Sequence, residues 1–308
     1  MRHFLKEPQI LHNSLFTIRK MNDDEFWQVA FSFVPPTSVE KNRGEEEVDD
    51  VEFDLTSKRK VYKFRCEKTT ARLALAPLPC DGGIMGPVGG DVWHASAVLA
   101  CLPLDYSSVQ TVLEIGSGAV GLSGLCAAMQ MRNSEPKTMI LTDVRQDGLL
   151  AQLESNISFN KEMLQRDYKL PNIKVQELDW RDAGSIQLLP PIDLIIGSEL
   201  IYSPETAACC SSMLKSLFLE NPMLHVVVVQ VFDRPGWAEF LSEFEDQETM
   251  VLQPLPPEWH VGAKGLLGGR EALGTLSQLD YGLCWIKNKS GGAVSIWNEQ
   301  ELFWQVWN

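Results

Sequence analysis

The fold is decided by the stretch Leu113-Glu114-Ile115-Gly116-Ser117-Gly118-Ala119-Val120-Gly121-Leu122-Ser123-Gly124. An apolar run, closely spaced glycines and a second apolar run predict a buried β-strand, a tight turn and the start of a helix. Such a turn lets a ligand lie against bare backbone, over the positive end of the helix. The glycines alone also fit a dinucleotide site. Glu114 argues against that site, because its carboxylate is a poor neighbour for a pyrophosphate and suits a cationic or hydroxyl-bearing group.

The composition indicates a globular protein with an acidic surface. The chain has 308 residues, is 44% hydrophobic and carries a formal net charge of −14. This charge repels nucleic-acid phosphates and attracts a basic protein partner. No apolar run approaches the ~20 residues that span a bilayer, and the N-terminus lacks the apolar stretch of a signal peptide. We therefore expect a cytoplasmic monomer, with the nucleus as an alternative compartment, that binds a protein substrate and neither nucleic acid nor membrane.

The cysteines argue against a metal centre and against disulfides. There are 7 of them, an odd number, and no two are spaced as C-x-x-C. Buried reduced thiols are the simpler interpretation in an intracellular protein.

The order of predicted elements separates two regions. Residues 1–80 form a β-rich N-terminal extension, with strands predicted at 26–34 and 60–66 and an acidic loop at about 37–57. In residues 81–308 apolar strands alternate with helices, which indicates an α/β fold with a doubly wound, mostly parallel sheet. Strands are predicted at 111–115, 138–142, 173–178, 192–197, 225–231 and 283–286, and helices at 95–102, 122–131, 146–160, 203–219 and 236–244. A loop is predicted at 181–182, and residues 254–280 have no assignable pattern.

Side chains suited to ligand binding follow four consecutive strands. The second strand ends at Asp143, whose two oxygens are placed to hold two ribose hydroxyls. The third ends at Asp179 and Trp180, a carboxylate and an aromatic face for an adenine. The fourth is followed by Glu199 and Tyr202. The carboxyl ends of parallel strands meet at one edge of a sheet, so these residues and Glu114 are predicted to share one site.

The segment after Tyr202 has the pattern of a helix start. Ser203 and Pro204 are typical of an N-cap and of a first helical residue. The spacing of Glu199 and Tyr202 places both on one side if this turn has already begun.

Together these motifs resemble the class I, seven-β-strand, S-adenosylmethionine-dependent methyltransferases. Within that class the chain is similar to the eukaryotic protein-lysine methyltransferase branch, which has a D/E-x-x-Y motif after the fourth strand. The resemblance covers about residues 88–235. It implies a Rossmann-like sheet of seven strands and S-adenosyl-L-methionine as the cofactor.

The resemblance also implies roles for individual residues. Glu114 would lie beneath the methionine moiety, and Glu199 and Tyr202 would face the acceptor side chain and carry catalysis. Asp179 joins the cofactor site through its position at a strand end. The remaining cofactor contacts would be Trp93, Gly116, Ser117, Gly118, Asp143, Trp180 and Ser198.

The chain departs from the family pattern at two positions. Val120 stands where the family has its third glycine, and Gly121 follows, which predicts a turn with one extra residue. Glu199 stands where the family usually has aspartate, and E-x-x-Y resembles the related protein-histidine methyltransferases.

We therefore expect an S-adenosylmethionine-dependent protein methyltransferase that acts on lysine, and four alternatives stay open. The first is a protein-histidine methyltransferase, the second a non-catalytic methyltransferase-like scaffold, and the third a small-molecule methyltransferase. The fourth is an NAD(P)-dependent oxidoreductase, which Gly116, Gly118, Gly121 and Asp143 favour and Glu114 opposes.

Overall fold

The computed structural model describes ten stretches of the chain. They are residues 51–54, 59–66, 69–78, 89–102, 104–131, 137–146, 148–166, 168–244, 248–254 and 281–288. The strand predicted at 26–34, most of the acidic loop and the unassigned residues 255–280 lie outside them.

Three antiparallel strands form a small N-terminal sheet in the order β1-β2-β3. They are β1 (Val51–Asp54), β2 (Arg59–Cys66) and β3 (Thr69–Leu75). β2 confirms the strand expected at 60–66. The loop prediction is wrong for residues 51–54, because Val51 and Phe53 alternate with two acidic residues and the segment pairs with β2. The acidic residues made this segment resemble a charged loop, although its apolar residues alternate as in a β-strand.

A second sheet of seven strands forms the body of the protein, in the order β6-β5-β4-β7-β8-β10-β9. Neighbouring strands from β6 to β8 are parallel, and β10 runs antiparallel between β8 and β9. The strands are β4 (Thr111–Ile115), β5 (Thr138–Asp143), β6 (Asn172–Glu177), β7 (Leu194–Ser198), β8 (His225–Val231), β9 (Glu248–Pro254) and β10 (Tyr281–Asn288).

Helices alternate with these strands, as a doubly wound fold requires. They are α1 (His94–Ala100), α2 (Leu122–Gln130), α3 (Leu149–Leu164), α4 (Ala183–Gln187), α5 (Pro204–Glu220) and α6 (Trp237–Ser242). The predicted fold class, a mostly parallel seven-strand sheet with a β-rich N-terminal extension, is confirmed. In the described ranges no helix is long and apolar enough to cross a membrane.

Two elements differ from the sequence prediction. Helix α4 was not predicted; it begins directly after the loop expected at 181–182, and Asp182 caps it by accepting hydrogen bonds from the Gly184 and Ser185 amides. Strand β9 was not predicted, because the sequence has no clear strand pattern after Met250.

Hydrophobic clusters cover both faces of the large sheet. Val112 of β4 packs in one cluster with residues of α1, α2 and α3, whereas Leu113 and Ile115 pack in the other with residues of α5 and α6. Leu73 and Leu75 of β3 belong to the first cluster, so the extension shares a core with the sheet. The domain boundary at residue 80 stays a prediction.

The strand order fixes where a ligand binds. From β4 the chain builds β5 and β6 on one side, then returns to build β7 and β8 on the other. The order therefore reverses between β4 and β7, and a crevice forms beyond their carboxyl ends. Residues 116–118 follow β4 directly, and residues 199–202 follow β7.

Candidate active site

A cavity of about 540 Å³ lies at this edge of the sheet. Every site residue predicted from the sequence lines it, so the structure brings all of them together. They are Trp93, Glu114, Gly116, Ser117, Gly118, Asp143, Asp179, Trp180, Ser198, Glu199 and Tyr202.

The floor of the cavity is the loop between β4 and α2. Its glycines at 116, 118 and 121 have left-handed backbone, with φ of 65°, 62° and 61°. A Cβ on Gly118 would lie 2.6 Å from the carbonyl oxygen of Gly89, so only glycine fits there. The backbone is thereby left bare toward the cavity.

The loop accommodates Val120 by burying it. Its side chain packs in the core, and the third left-handed position falls on Gly121, the N-cap of α2. A Cβ on Gly121 would meet Leu153 and Leu141 at 2.6 and 2.8 Å. The loop therefore reaches its helix one residue later than a G-x-G-x-G pattern would.

Asp143 and Ser117 hold this loop against the end of β5. The Gly118 amide donates to Oδ2 of Asp143 at 2.7 Å, and the Thr142 amide donates to Oγ of Ser117 at 3.1 Å. Burial raises the pKa of Asp143, while the Gly118 and Val144 amides lower it. Asp143 thus supports the loop and also faces the cavity.

Glu114 lies beneath the loop and is only 2% exposed. Its Oε1 accepts a hydrogen bond from the Ser123 hydroxyl. Its Oε2 is buried without a well-aligned hydrogen-bond donor in the described part of the chain. Burial raises the pKa of Glu114, although Ser123, Ser117 and the Gly124 amide lower it. A buried carboxylate oxygen of this kind favours a ligand that brings a positive charge or a donor.

Asp179 and Trp180 follow β6 at the cavity wall. Arg181 binds the Asp179 carboxylate with Nε and Nη2, at 2.9 and 2.8 Å, and holds the pKa of that carboxyl below its usual range. The half-buried Trp180 ring lies beside the glycine loop, where a Cβ on Gly116 would come within 3.9 Å of it. Asp179 therefore forms an ion pair with Arg181, and the Trp180 ring forms a flat apolar wall of the cavity.

Trp93 and Tyr202 are the exposed aromatic residues of the cavity, with exposed fractions of 45% and 51%. Trp93 precedes α1, and Tyr202 lies between Ser198, at the end of β7, and α5. The predicted N-cap is confirmed, because Ser203 accepts from the Thr206 amide at 3.1 Å and Pro204 begins the helix.

Glu199 connects the ends of β7 and β8. Its amide donates to the Val229 carbonyl, and its Oε1 accepts from the Val231 amide, each at 2.9 Å. Its Oε2 accepts from Nε of Arg234 at 2.9 Å, in an ion pair whose glutamate side chain is 7% exposed. Burial raises the pKa of Glu199, and the Val231 amide and the Arg234 charge lower it. Both carboxylate oxygens are thus engaged by the protein itself.

Three residues that shape the site were not predicted from the sequence. Gln230 is fully buried on β8, and its side chain binds both backbone groups of Ile201. It accepts a hydrogen bond from the Ile201 amide at 3.1 Å and donates one to the Ile201 carbonyl at 2.8 Å. Arg234 lines the cavity as the partner of Glu199. Gly89 packs on Gly118, and its only sequence signal is a glycine-rich stretch before Trp93.

Among the described cysteines, Cys209 lines the cavity. Among the described residues, Cys101, Cys126, Cys209, Cys210 and Cys284 are free thiols, and no cluster of His, Cys, Asp or Glu could hold a metal ion.

The strand order and the glycine loop at the switch point are those of a class I methyltransferase. Residues 81–247, more than half of the chain, match the sequence model of a family described as lysine methyltransferase. The chain therefore belongs to the lysine methyltransferase family, and it is an S-adenosylmethionine-dependent methyltransferase. No curated protein matches its sequence.

Solved methyltransferase structures are similar to the chain at low sequence identity. The S-adenosylhomocysteine-bound methyltransferase PaMTH1 of Podospora anserina is 15% identical, with 59% of this chain and 73% of that one covered and a TM-score of 0.33. The arsenic(III) S-adenosylmethionine methyltransferase CrArsM of Chlamydomonas reinhardtii is 14% identical, with 67% and 76% covered and a TM-score of 0.40. An O-methyltransferase of a Brevibacillus brevis multienzyme is 16% identical, with 68% and 77% covered and a TM-score of 0.42.

The cavity fits the family's cofactor. S-adenosylmethionine carries a positive sulfonium and an ammonium, two ribose hydroxyls and an adenine. The cavity offers a bare glycine loop, the partly unpartnered carboxylate of Glu114, Asp143 and the wall of Trp180. The positive charge, the ribose and the adenine of the cofactor thus each have a chemically suited neighbour among the lining residues.

Proposed function

We propose that this protein methylates the side-chain amine of a lysine in a protein substrate. The observation that carries the proposal is the exposure of Trp93 and Tyr202 on the same cavity as the glycine loop. Exposed aromatic rings suit the long apolar stem and the cationic head of a lysine side chain. The family match over residues 81–247 supports the same acceptor.

In this proposal the cofactor occupies the side of the cavity near β4, β5 and β6. Asp143 holds the ribose hydroxyls, Trp180 packs on the adenine, and Glu114 lies beneath the methionine moiety. Bound S-adenosylmethionine supplies an electrophilic methyl group on its sulfonium. The full set of proposed cofactor contacts is Trp93, Glu114, Gly116, Ser117, Gly118, Asp143, Asp179, Trp180 and Ser198.

The acceptor amine must be neutral to react. A free lysine has a pKa of about 10.4, so removing its proton at pH 7 costs roughly 4–5 kcal/mol. Burial of the amine beside Tyr202 removes water from it, which lowers that pKa. Because transfer to an oriented amine needs close alignment, we propose that Tyr202 contributes chiefly by positioning the acceptor.

The charge of the protein favours a basic substrate segment. Carboxylates at 91 and 205 also line the cavity, and the whole chain carries a net charge of −14. Such a field raises the rate at which the protein encounters a basic segment. Added salt screens the field and lowers this rate.

We propose that Glu199 supports the acceptor side of the site without holding the amine. Its carboxylate is paired with Arg234 and the Val231 amide, which fixes the backbone that leads to Tyr202. This proposal refines the expectation that Glu199 faces the acceptor.

The test is to identify the methylated amino acid. The protein is incubated with heat-treated eukaryotic cell lysate and methyl-labelled S-adenosylmethionine, and the labelled protein is hydrolysed and analysed by mass spectrometry. We expect methyl-lysine. Methyl-histidine would assign the protein to histidine methylation, and cofactor binding without any labelled protein would favour a scaffold. Calorimetry with S-adenosylhomocysteine and NAD separates these outcomes from an oxidoreductase.

A matched pair of variants tests the role of Tyr202. We expect Tyr202→Ala to lower methyl transfer at least about tenfold, because the acceptor loses one wall of its channel, with the affinity for S-adenosylhomocysteine unchanged. Phe159→Ala removes another exposed aromatic ring, on α3 and outside the cavity, and should leave both quantities unchanged. Equal activity of the two variants would remove Tyr202 from the acceptor site.

A further inference from the structure

Two buried asparagines of α3 bind the end of the N-terminal extension. Oδ1 of Asn160 accepts from the Ala74 amide and its Nδ2 donates to the Ala74 carbonyl, both at 2.8 Å. Asn156 binds Ala76 in the same way, at 2.9 and 2.8 Å. Both side chains are fully buried. The carboxamides therefore pair with the backbone at the end of β3 and just after it, much as a neighbouring strand would.

Of the two asparagines, Asn156 also binds the glycine loop between β4 and α2. Its Nδ2 donates to the Ala119 carbonyl at 2.8 Å, between Gly118 and Val120. The corresponding third bond of Asn160 goes back to the carbonyl of Asn156, inside α3. The carboxamide of Asn156 thus binds both the extension and the glycine loop, whereas that of Asn160 binds the extension and its own helix.

The same loop is held a second time from the extension side. The Leu78 amide donates to the Gly90 carbonyl at 2.8 Å, and the Ala119 amide donates to the Gly89 carbonyl at 2.7 Å. Ala119 is therefore bound through both its backbone groups, by the turn at Gly89 and by Asn156. A loop with three left-handed glycines has little stiffness of its own, so these bonds set its position.

We propose that Asn156 is a positioning residue for cofactor binding, which couples the docking of the N-terminal extension to the shape of the glycine loop. Ala119 is fully buried, so its carbonyl has no access to water in place of the Asn156 donor. Loss of that donor moves the loop away from the conformation that receives the cofactor. The proposal concerns cofactor affinity and does not depend on which residue accepts the methyl group.

The experiment compares Asn156→Leu with Asn160→Leu in the full chain. Leucine has a similar size, and each variant removes three hydrogen bonds between described residues, so the losses of thermal stability should be similar in size. By calorimetry at a temperature where both are folded, we expect the Kd for S-adenosylhomocysteine to rise about tenfold in Asn156→Leu and to stay within about twofold in Asn160→Leu. Hydrogen exchange of the Gly118–Gly121 amides should quicken only in the first.

Two results would overturn the proposal: equal cofactor affinity in both variants, or equal weakening in both. The second would show that docking of the extension matters as a whole and that the bond to Ala119 has no separate effect. If Asn156→Leu does not fold, Asn156→Asp takes its place, because it keeps the acceptor for the Ala76 amide and replaces the group that donates to Ala119. Asn160→Asp is then the matched control.

Discussion

At the scale of single residues, Glu199 combines an unfavourable backbone with several compensating bonds. It is the only non-glycine residue in the described ranges with positive φ, at 50°. Such a conformation costs about 1–3 kcal/mol and persists only when its surroundings enforce it. Here the Val229 carbonyl, the Val231 amide and Arg234 all bind this residue. The E-x-x-Y motif therefore acts as a brace between two strand ends.

The ion pair between Glu199 and Arg234 makes the effects of replacing them depend on each other. Glu199→Gln and Arg234→Gln should each lower kcat about tenfold, because either change breaks the same ion pair. The double variant should lose little more than either single variant, since the interaction is then already absent. Steady-state methylation kinetics measure this, with S-adenosylhomocysteine affinity as the control. A Glu199 that held the acceptor amine directly would instead leave Arg234→Gln nearly as active as the unchanged protein.

The strand ends of the sequence predict the site but not the buried residues that hold its backbone in place. Glu114, Asp143 and Trp180 could be predicted because the ends of consecutive parallel strands must meet. Asn156 and Gln230 could not, because each acts on backbone that is distant in sequence and approaches only after packing. Their carboxamides have no local pattern that separates a structural clamp from an exposed polar residue.

At the scale of elements, the start of α5 decides where Tyr202 lies. Thr206 accepts from the Tyr202 and Ser203 amides, at 3.2 and 3.0 Å, and donates to the Ser203 carbonyl at 2.8 Å. The hydroxyl of Ser203 accepts from the Thr206 amide in return. The helix start and the acceptor side of the cavity are therefore one hydrogen-bonded unit.

Replacing Thr206 tests this unit. Thr206→Val keeps the shape and removes the hydroxyl, which should cost about 1 kcal/mol of stability and lower Tm by about 3 °C. Because the Tyr202 amide loses its acceptor, methyl transfer should fall as well. Thermal unfolding and the methylation assay measure the two effects. Thr206→Ser keeps the hydroxyl and should match the unchanged protein, and equal activity of the two variants would contradict the argument.

Helices and strands that have a long apolar run, with a clear change of sequence pattern at each end, could be predicted from the sequence. β4 and β8 fall on their predicted residues, and α5 differs by one residue at each end. Strand β1 and helix α4 were missed because other signals dominate there. Acidic neighbours mask the alternation of β1, and α4 contains five residues, too few to show a helical period.

At the scale of the whole molecule, one buried histidine links stability to pH at a distance from the cofactor site. His225 begins β8, at the end of the strand opposite Val231, and is 5% exposed. Its Nδ1 accepts from Nε1 of Trp285 at 3.1 Å. Burial and the nearby charge of Lys287 lower its pKa to about 4. The folded protein therefore holds this ring neutral at a pH where the unfolded chain protonates it.

Protonation of His225 in the unfolded chain makes the folded protein less stable as the pH falls. Between pH 6.5 and 4 the unfolded chain binds a proton at His225 and the folded chain does not, so acid destabilises the fold. Glu114, Asp143 and Glu199 act in the opposite direction, because their raised pKa values make the folded protein bind protons first. The pH profile of stability sums the contributions of all titrating groups, so a variant is needed to isolate the histidine.

His225→Gln provides that variant, because glutamine keeps a polar acceptor for Trp285 and does not titrate. The free energy of unfolding of each protein is measured by urea denaturation at pH 7 and pH 5. Relative to the variant, the unchanged protein should lose about 2 kcal/mol over this interval, as the pKa difference between folded and unfolded chains requires. Parallel profiles would mean that the folded protein accepts the proton at His225 as readily as the unfolded chain does. The carboxylates of the cavity are present in both proteins, so their contribution cancels in the difference.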